Sequence, residues 1–121
     1  MSNDKKRKPY MDLPTVAKQM CFLFDGVVLG SSAEKLYKGY PLGPLDDIDI
    51  VIPFDQWTKA CKIIPGNAKV NSFGGFKFED GGISVDVWMD DVTRVLFMSP
   101  WKGKNGYLWS PKYGGAIRWD P

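Results

Sequence analysis

The sequence of 121 residues contains no histidine and only two cysteines. The absence of histidine excludes a Ser-His-Asp or Cys-His nucleophile and a histidine-ligated zinc site. Any catalysis must therefore depend on carboxylates, lysines, hydroxyls or a bound metal ion. The two cysteines, Cys21 and Cys61, are far apart in sequence and lie in amphipathic helix-like segments. We expect both to be buried free thiols.

Long apolar runs are also absent. No run approaches the roughly 20 apolar residues that cross a bilayer. The Lys- and Arg-containing start is not followed by the apolar core of a signal peptide. We therefore expect a cytoplasmic protein without membrane contact. The net charge of +2 is too small to indicate a class of partner by itself.

The composition is that of one globular domain. The hydrophobic fraction of 44% and the aromatic fraction of 14% exclude a disordered chain. We predict a basic flexible tail over residues 1–9 and a single domain over residues 10–121. Within the domain, residues 99–121 form an aromatic and basic C-terminal extension. Its aromatic side chains either cover the open side of a small core, which we favour, or present a base-stacking surface.

Helical patterns and turn signals alternate through much of the chain. Asp12 offers an N-cap for a first amphipathic helix that ends near Asp25. The apolar run over residues 27–29 is too short for a helix and suits a strand. Asp55 is expected to cap a second helix. A short helix is predicted over residues 92–98.

Further strand patterns and their faces follow from hydrophobic alternation. The predicted runs cover residues 47–52, 68–71, 73–79 and 83–89, with Tyr107-Leu108-Trp109 and Ala116-Ile117-Arg118 as arms of a C-terminal hairpin. Residues two apart in a strand point to the same face. Asp47 and Asp49 therefore project together, and the isoleucines of that run point the other way into a core. Asp86 projects from the face opposite to Val85 and Val87.

Carboxylates built into apolar strands need an explanation. Like charges repel at this spacing, and charges removed from water are costly unless they are paired or bound to a metal ion. One interpretation leaves Asp47, Asp49 and Asp86 solvated at strand ends, but apolar residues flank Asp86 on both sides. A second is a glycosidase-type carboxylate pair. The third is a hard divalent metal site for phosphoryl or nucleotidyl transfer.

The turn Gly30-Ser31-Ser32 favours the third interpretation. It directly follows the apolar run over residues 27–29 and precedes a helix predicted from about Ala33 to Tyr37. Glycine allows close approach of the backbone to a ligand, serines add hydroxyls, and a helix start presents unpaired N–H groups. A strand, such a turn and a helix together can receive phosphate groups. The glycosidase interpretation leaves this turn without a role.

Taken together, these motifs resemble the nucleotidyltransferase superfamily typified by DNA polymerase beta. The family pattern is an apolar strand, Gly-Gly or Gly-Ser, a short helix, Asp-apolar-Asp-apolar and a later strand carboxylate. Here the pattern is carried by Gly30-Ser31, Asp47-Ile48-Asp49-Ile50 and Asp86, and it covers roughly residues 27–90. The chain is most similar to the small, single-domain "minimal" nucleotidyltransferases.

The resemblance implies roles for the three carboxylates. Asp47 and Asp49 would hold two magnesium ions. Asp86 would complete the catalytic metal's site and help to deprotonate the attacking hydroxyl. The reaction would be in-line attack of that hydroxyl on the α-phosphate of an NTP, with release of pyrophosphate.

The resemblance also implies a nucleotide-binding set. Gly30 and Ser31 would hold the triphosphate of the incoming nucleotide, with Ser32 as a further candidate. Apart from the family pattern, Lys35, Lys38 and Lys77 could supply positive charge against a triphosphate, and Lys77 is included in the predicted nucleotide-binding set. Two features depart from the family pattern: 15 residues separate Ser31 from Asp47, a slightly long span, and Glu34 stands where a basic residue is often found.

We therefore predict an α+β fold, with a mixed sheet that carries the carboxylates on its open side and helices on the other. The expected function is a magnesium-dependent nucleotidyltransferase. It would use an NTP, with ATP as one candidate, and an acceptor that is an RNA end, a protein or a small molecule. The alternatives are a non-catalytic nucleotide- or RNA-binding module, or a partner-dependent subunit, on the same fold.

Overall fold

The architecture is read from a computed structural model that describes residues 9–95, 107–110 and 112–118. A short 3₁₀ helix, Pro9–Asp12, precedes the first α-helix. The α-helices are α1 (Thr15–Phe24), α2 (Ser31–Lys38), α3 (Phe54–Cys61) and α4 (Val92–Val95). The strands are β1 (Val27–Leu29), β2 (Asp47–Ile52), β3 (Lys69–Val70), β4 (Phe76–Asp80), β5 (Ile83–Met89), β6 (Tyr107–Ser110) and β7 (Gly114–Arg118).

The described strands form one seven-stranded sheet in the order β3-β4-β5-β2-β1-β7-β6. The neighbours β2 and β5 are parallel, whereas β1 is antiparallel to both β2 and β7. The remaining pairs, β3 with β4, β4 with β5 and β6 with β7, are antiparallel as well. The sheet is therefore mixed, and the predicted α+β class is confirmed.

The main core lies between one face of the sheet and helices α1, α2 and α3. Ile48, Ile50 and Ile52 are completely buried there, as the alternation in β2 predicts. Fully burying one such side chain stabilises the fold by about 1.5–3 kcal/mol. The central strand is thus anchored by the isoleucines that alternate with its carboxylates.

Both cysteines are free thiols. Cys21 is fully buried, and burial raises the pKa of its thiol to about 12. Cys61 is only half-buried, so its prediction as a buried thiol is correct only in part. A thiol with such a raised pKa is a poor nucleophile, and Cys21 acts as a small apolar core residue.

The opposite face of the sheet is covered in part. A second cluster of buried side chains lies there, formed by Val27, Leu29, Val51, Trp88, Val95, Leu108 and Ala116. It brings α4 and the C-terminal hairpin against the face that carries the carboxylates. The hairpin arms predicted over residues 107–109 and 116–118 are confirmed. The predicted C-terminal extension therefore supplies two strands of the sheet.

The caps predicted for α1 and α3, Asp12 and Asp55, are wrong. Pro14 occupies the N-cap position of α1, and the carboxylate that accepts a backbone N–H of its first turn is Asp80, 2.8 Å from the Ala17 nitrogen. Pro53 occupies the N-cap position of α3, so that Asp55 lies inside the first turn. Proline suits a helix start because the N–H that it lacks has no partner within the helix there.

Two predicted helix boundaries also shift. Helix α2 begins at Ser31, before the predicted start, so the serines belong to its first turn. The helix predicted over residues 92–98 is found as Val92–Val95, and residues 96–98 lie outside the described residues. The basic tail predicted for residues 1–9 lies outside them too, apart from Pro9. None of the helices in the described ranges is long and apolar enough to span a membrane.

Candidate functional site

The carboxylates of β2 and β5 lie side by side because the two strands are parallel neighbours in the sheet. Asp49 is the register partner of Asp86, and Asp47 is the register partner of Ser84. All three carboxylates project from the face opposite to the main core. Asp47 is exposed, whereas Asp49 and Asp86 are half-buried. The structure therefore brings two predicted site residues into one pair, with Asp47 one row away on the same face.

Asp49 lies in an environment that disfavours its negative charge. Partial burial, the negative charge of Asp86 and that of Asp47 raise its pKa from an ordinary 3.8 to about 6, and nearby Lys77 opposes this rise. A raised carboxyl pKa means that negative charge is disfavoured at this position. A bound cation would offset that cost, so the pair is receptive to positive charge.

Two side chains from the β3–β4 side of the sheet contact the Asp86 carboxylate. Lys77, on β4, places its Nζ 3.8 Å from Asp86 Oδ2. Asn71 donates from Nδ2 to Asp86 Oδ1 at 3.3 Å. The Lys77 side chain is 53% exposed and that of Asp86 is 14% exposed. Lys77 is therefore free to turn toward an anionic ligand, whereas Asp86 is fixed.

One row of cross-strand partners runs from two lysines to the carboxylate pair. Lys69 pairs with Lys77, Lys77 with Asp86, and Asp86 with Asp49. A groove of about 420 Å³ lies beside the lysine end of this row; it is lined by Asn67, Lys69, Lys77, Phe78, Glu79 and Ser84. The site thus combines a negative centre with a groove that carries positive charge.

A larger open groove lies away from the carboxylate pair. Its volume is about 460 Å³, and its lining includes Asp12, Pro14, Tyr40 and Ile83. Ile83 packs against the main core, which places this groove on the helix-covered side of the sheet. Among the described residues, Asp12 is the single carboxylate in its lining. Its larger size does not make it the better chemical site.

The predicted phosphate turn lies beside the start of β2. Leu29, the residue before the turn, is the register partner of Asp49. Gly30 has φ +78° and ψ −150°, a conformation that L side chains rarely adopt, and its N–H donates to the Gly115 carbonyl at 2.8 Å. The N-cap residue of α2 is Gly30, which has no side chain that could cap the helix. N–H groups at the start of such a helix can donate to an anion.

The two serines of the turn have different surroundings. Ser31 is exposed. Ser32 is 1% exposed, and its hydroxyl donates to the backbone carbonyl of Asp47. Ser32 therefore ties the start of α2 to the start of β2, and Ser31 is the serine whose side chain is accessible.

Lys35 forms an ion pair with Asp46 in the loop before β2. Its Nζ lies 2.6 Å from Asp46 Oδ1, and the Gly43 N–H donates to Asp46 Oδ2 at 2.7 Å. The hydrogen bond from Lys35, followed by that from Gly43, lowers the pKa of Asp46. This pair tethers the long segment between α2 and β2.

The donor chemistry of the pair fits magnesium. Among the described residues, no group of three His, Cys, Asp or Glu side chains is arranged to hold a metal ion. Magnesium is commonly held by one or two carboxylates together with substrate phosphates, and it prefers oxygen ligands. The neighbours Asp49 and Asp86 supply two carboxylates, and Asp47 lies on the same face.

Sequence reasoning did not identify Asn71, Phe73 or Tyr113 as part of this face. Asn71 begins the turn between β3 and β4, and an asparagine there signals a turn but not a contact with Asp86. The Phe73 ring stacks on the Trp88 ring with centroids 4.5 Å apart. The Tyr113 ring lies 6.3 Å from Trp88 on a tilted plane.

Comparisons of the chain with protein-family models, with curated proteins and with solved structures gave no match.

Proposed function

We propose that this protein is a magnesium-dependent nucleotidyltransferase that moves an NMP group from an NTP to a hydroxyl acceptor and releases pyrophosphate. The observation that carries the proposal is the pairing of Asp49 with Asp86 on parallel strands. Both carboxylates face away from the main core, and the Gly30-Ser31 turn starts a helix beside them. The proposal accounts for two half-buried carboxylates that have no histidine partner.

In this mechanism the carboxylates act at the reacting phosphorus. Asp49 and Asp86 would hold magnesium, with Asp47 on the same face as a further candidate ligand, and the ion would supply positive charge that stabilises the phosphate oxygens of the transition state. Asp86 accepts the proton of the acceptor hydroxyl as its oxygen attacks the α-phosphorus. The bond from that phosphorus to the oxygen bridging to the β-phosphate breaks, and pyrophosphate leaves with the bonding electron pair.

The turn and Lys77 bind the rest of the triphosphate. The first N–H groups of α2 and the Ser31 hydroxyl donate to phosphate oxygens. Lys77 exchanges part of its interaction with Asp86 for a phosphate oxygen, because about half of its side chain is exposed. Ser32 positions this turn through its hydrogen bond to Asp47. The acceptor is an RNA end, a protein or a small molecule that carries a hydroxyl.

The test is transfer of label from α-labelled NTPs to pooled acceptors in the presence of magnesium. Asp49→Ala and Asp86→Ala should each abolish transfer while circular dichroism remains native. Asp55→Ala is the matched control, because Asp55 is an exposed aspartate on α3, away from the carboxylate face. Full activity in either site variant, or no transfer with any acceptor class, would overturn the proposal.

A second candidate is a nucleotide-binding module without catalysis. The observation in its favour is that Lys77 and Asn71 already contact Asp86. A carboxylate neutralised by a lysine has less need of a metal ion. This candidate predicts that ATP binds with the same affinity with and without magnesium and that no label is transferred. A partner-dependent subunit would instead gain transfer activity when its partner is added.

A further inference from the structure

An exposed phenylalanine is held in a fixed position beside the carboxylate face. Phe73 is 51% exposed. Its ring stacks on Trp88 with a centroid distance of 4.5 Å and an interplanar angle of 26°. One face of the ring is thus supported by a buried indole, which leaves a free aromatic face toward solvent.

The turn that carries Phe73 is rigid because one side chain organises it. Asn71 Oδ1 accepts the N–H of Phe73 at 3.0 Å and that of Gly75 at 2.8 Å. The Asn71 N–H donates to the Gly75 carbonyl at 3.0 Å. Gly75 lies so close to β5 that a Cβ there would be 1.9 Å from the Val87 carbonyl oxygen. The Phe73 ring is therefore held in place before any ligand arrives.

The same asparagine connects the aromatic turn to the carboxylate pair. Asn71 Nδ2 donates to Asp86 Oδ1 at 3.3 Å, and to the backbone carbonyls of Phe76 and Val87 at 3.1 and 3.3 Å. Trp88 follows Asp86 by two residues on β5, so both side chains are on one face. Phe73 and Asp86 are therefore connected through Asn71, and the Phe73 ring stacks on the side chain that follows Asp86 on the same face of β5.

Trp88 itself is not the accessible aromatic surface. It is only 4% exposed, between the Phe73 ring and the tilted Tyr113 ring. Lys112 Nζ lies over the Tyr113 ring, 5.1 Å from its centre. Of the two stacked rings, Phe73 is therefore the one that a planar ligand can reach.

We infer that Phe73 is the stacking platform for the nucleobase of the nucleotide whose phosphates bind at the carboxylate pair. This inference rests on the proposed function. The occupant is a planar heteroaromatic ring attached to an anionic group, because Asn71 connects the turn that carries the exposed Phe73 ring to a carboxylate and lysine site suited to metal and phosphate. Every nucleobase has a π-face, so stacking here tolerates different bases.

The test compares the binding of ATP with that of inorganic tripolyphosphate, which lacks the base, by isothermal titration calorimetry at a fixed magnesium concentration. Phe73→Ala should weaken ATP binding by about 5-fold to 140-fold, the range of one base–aromatic stack. Tripolyphosphate binding should be unchanged. Phe73→Trp should retain ATP affinity. Phe73→Leu, which keeps apolar bulk without an aromatic face, should lose most of it.

The matched control is Phe54→Ala, because Phe54 is an exposed phenylalanine on α3, outside the carboxylate face. It should leave ATP affinity unchanged. Equal ATP affinity in wild type and in the Phe73 variants would overturn the inference, as would equal wild-type affinity for ATP and tripolyphosphate. If Phe73→Ala does not fold, Phe73→Leu and Phe73→Trp decide the question.

Different experimental results would overturn the proposed transferase activity and the proposed stacking role of Phe73. Base-dependent ATP binding that needs Phe73, without label transfer to any acceptor, overturns the transferase and keeps the stacking platform. Label transfer with an unchanged KM for ATP in Phe73→Ala keeps the transferase and overturns the stacking platform.

Discussion

Asp49 and Asp86 are cross-strand partners on two parallel strands, and their side chains lie on the same half-covered face of the sheet. Each carboxylate therefore lies close to another negative charge and partly out of water. The raised pKa of Asp49, about 6, is the consequence. Without a bound cation, the repulsion within this pair lowers the free energy of unfolding. The stability of the protein therefore reports on the pair independently of any catalysis.

Asp49→Asn should stabilise the protein at neutral pH. Between pH 3.8 and about 6 the unfolded chain loses the Asp49 proton while the folded protein keeps it. Stability therefore falls as pH rises through this window, and the full cost is present above it. The gain in the variant should be roughly 1–2 kcal/mol at pH 7 after allowance for solvent screening. Urea unfolding between pH 3.5 and 8 measures it.

Asp55→Asn is the control for this pH dependence, since it removes an exposed carboxylate outside the pair. Its stability curve should run parallel to that of the wild type. A wild-type curve that does not fall between pH 4 and 6 more steeply than the Asp49→Asn curve would contradict the assigned cause.

Magnesium should raise the melting temperature of the wild type. A cation bound to the folded pair stabilises by mass action and relieves the repulsion between Asp49 and Asp86. At ten times the dissociation constant the gain is about 1.4 kcal/mol. Differential scanning fluorimetry with MgCl₂, and with NaCl at matched ionic strength, measures the difference. Asp86→Asn should remove the magnesium response, and a response that survives this change would place the cation elsewhere.

Asn71→Ala should loosen the β3–β4 turn. The substitution leaves the Phe73 and Gly75 N–H groups without their side-chain acceptor and Asp86 without an amide donor. The expected loss of stability is about 1–3 kcal/mol. Hydrogen exchange at the Gly75 amide should accelerate more than exchange in α1. Asn67→Ala, at an exposed asparagine, should change neither quantity.

Asp80→Ala should destabilise the start of α1. The Asp80 carboxylate accepts the Ala17 N–H from 63 residues away, and the side chain is only 8% exposed. Loss of a capping acceptor costs about 0.5–2 kcal/mol. Glu79→Ala, at the exposed neighbouring position, is the control. Asp80→Asn should recover part of the loss because its amide oxygen still accepts a hydrogen bond. Equal stability of the Asp80 and Glu79 variants would show that the contact is not a cap.

Gly75→Ala and Gly74→Ala should differ sharply. A Cβ at Gly75 would lie 1.9 Å from the Val87 carbonyl oxygen and 2.8 Å from the Trp88 Cα, so the turn must move away from β5. At Gly74 a Cβ meets nothing within 4 Å, and only its φ of +80° is unfavourable. Gly74→Ala should cost about 1–2 kcal/mol, and Gly75→Ala clearly more. Equal melting temperatures of the two variants would contradict the close approach.

The alternation of β2 is sufficient to predict the faces of its residues. Ile48 and Ile50 have to share one face and Asp47 and Asp49 the other, because the side-chain period of a strand is two residues. The predicted cap of α1 was wrong because its partner is distant in sequence. Asp12 lies next to α1 in sequence, but the carboxylate that reaches the helix comes from β4, and no local pattern reveals a partner so distant.

The sequence by itself determined that any catalysis by this chain cannot use a histidine of its own and that Asp47, Asp49 and Asp86 face away from the core. It also located the strands, although β3 is shorter than predicted, as Lys69–Val70, and β4 is Phe76–Asp80 because residues 73–75 form a turn. These properties depend on residue type and on the local geometry of a strand. Only the tertiary structure decided that Asp49 lies beside Asp86, that Lys77 joins their row and that Asn71 holds Phe73 next to them. Strand order and register arise from long-range packing, and they bring together residues that sequence spacing keeps apart.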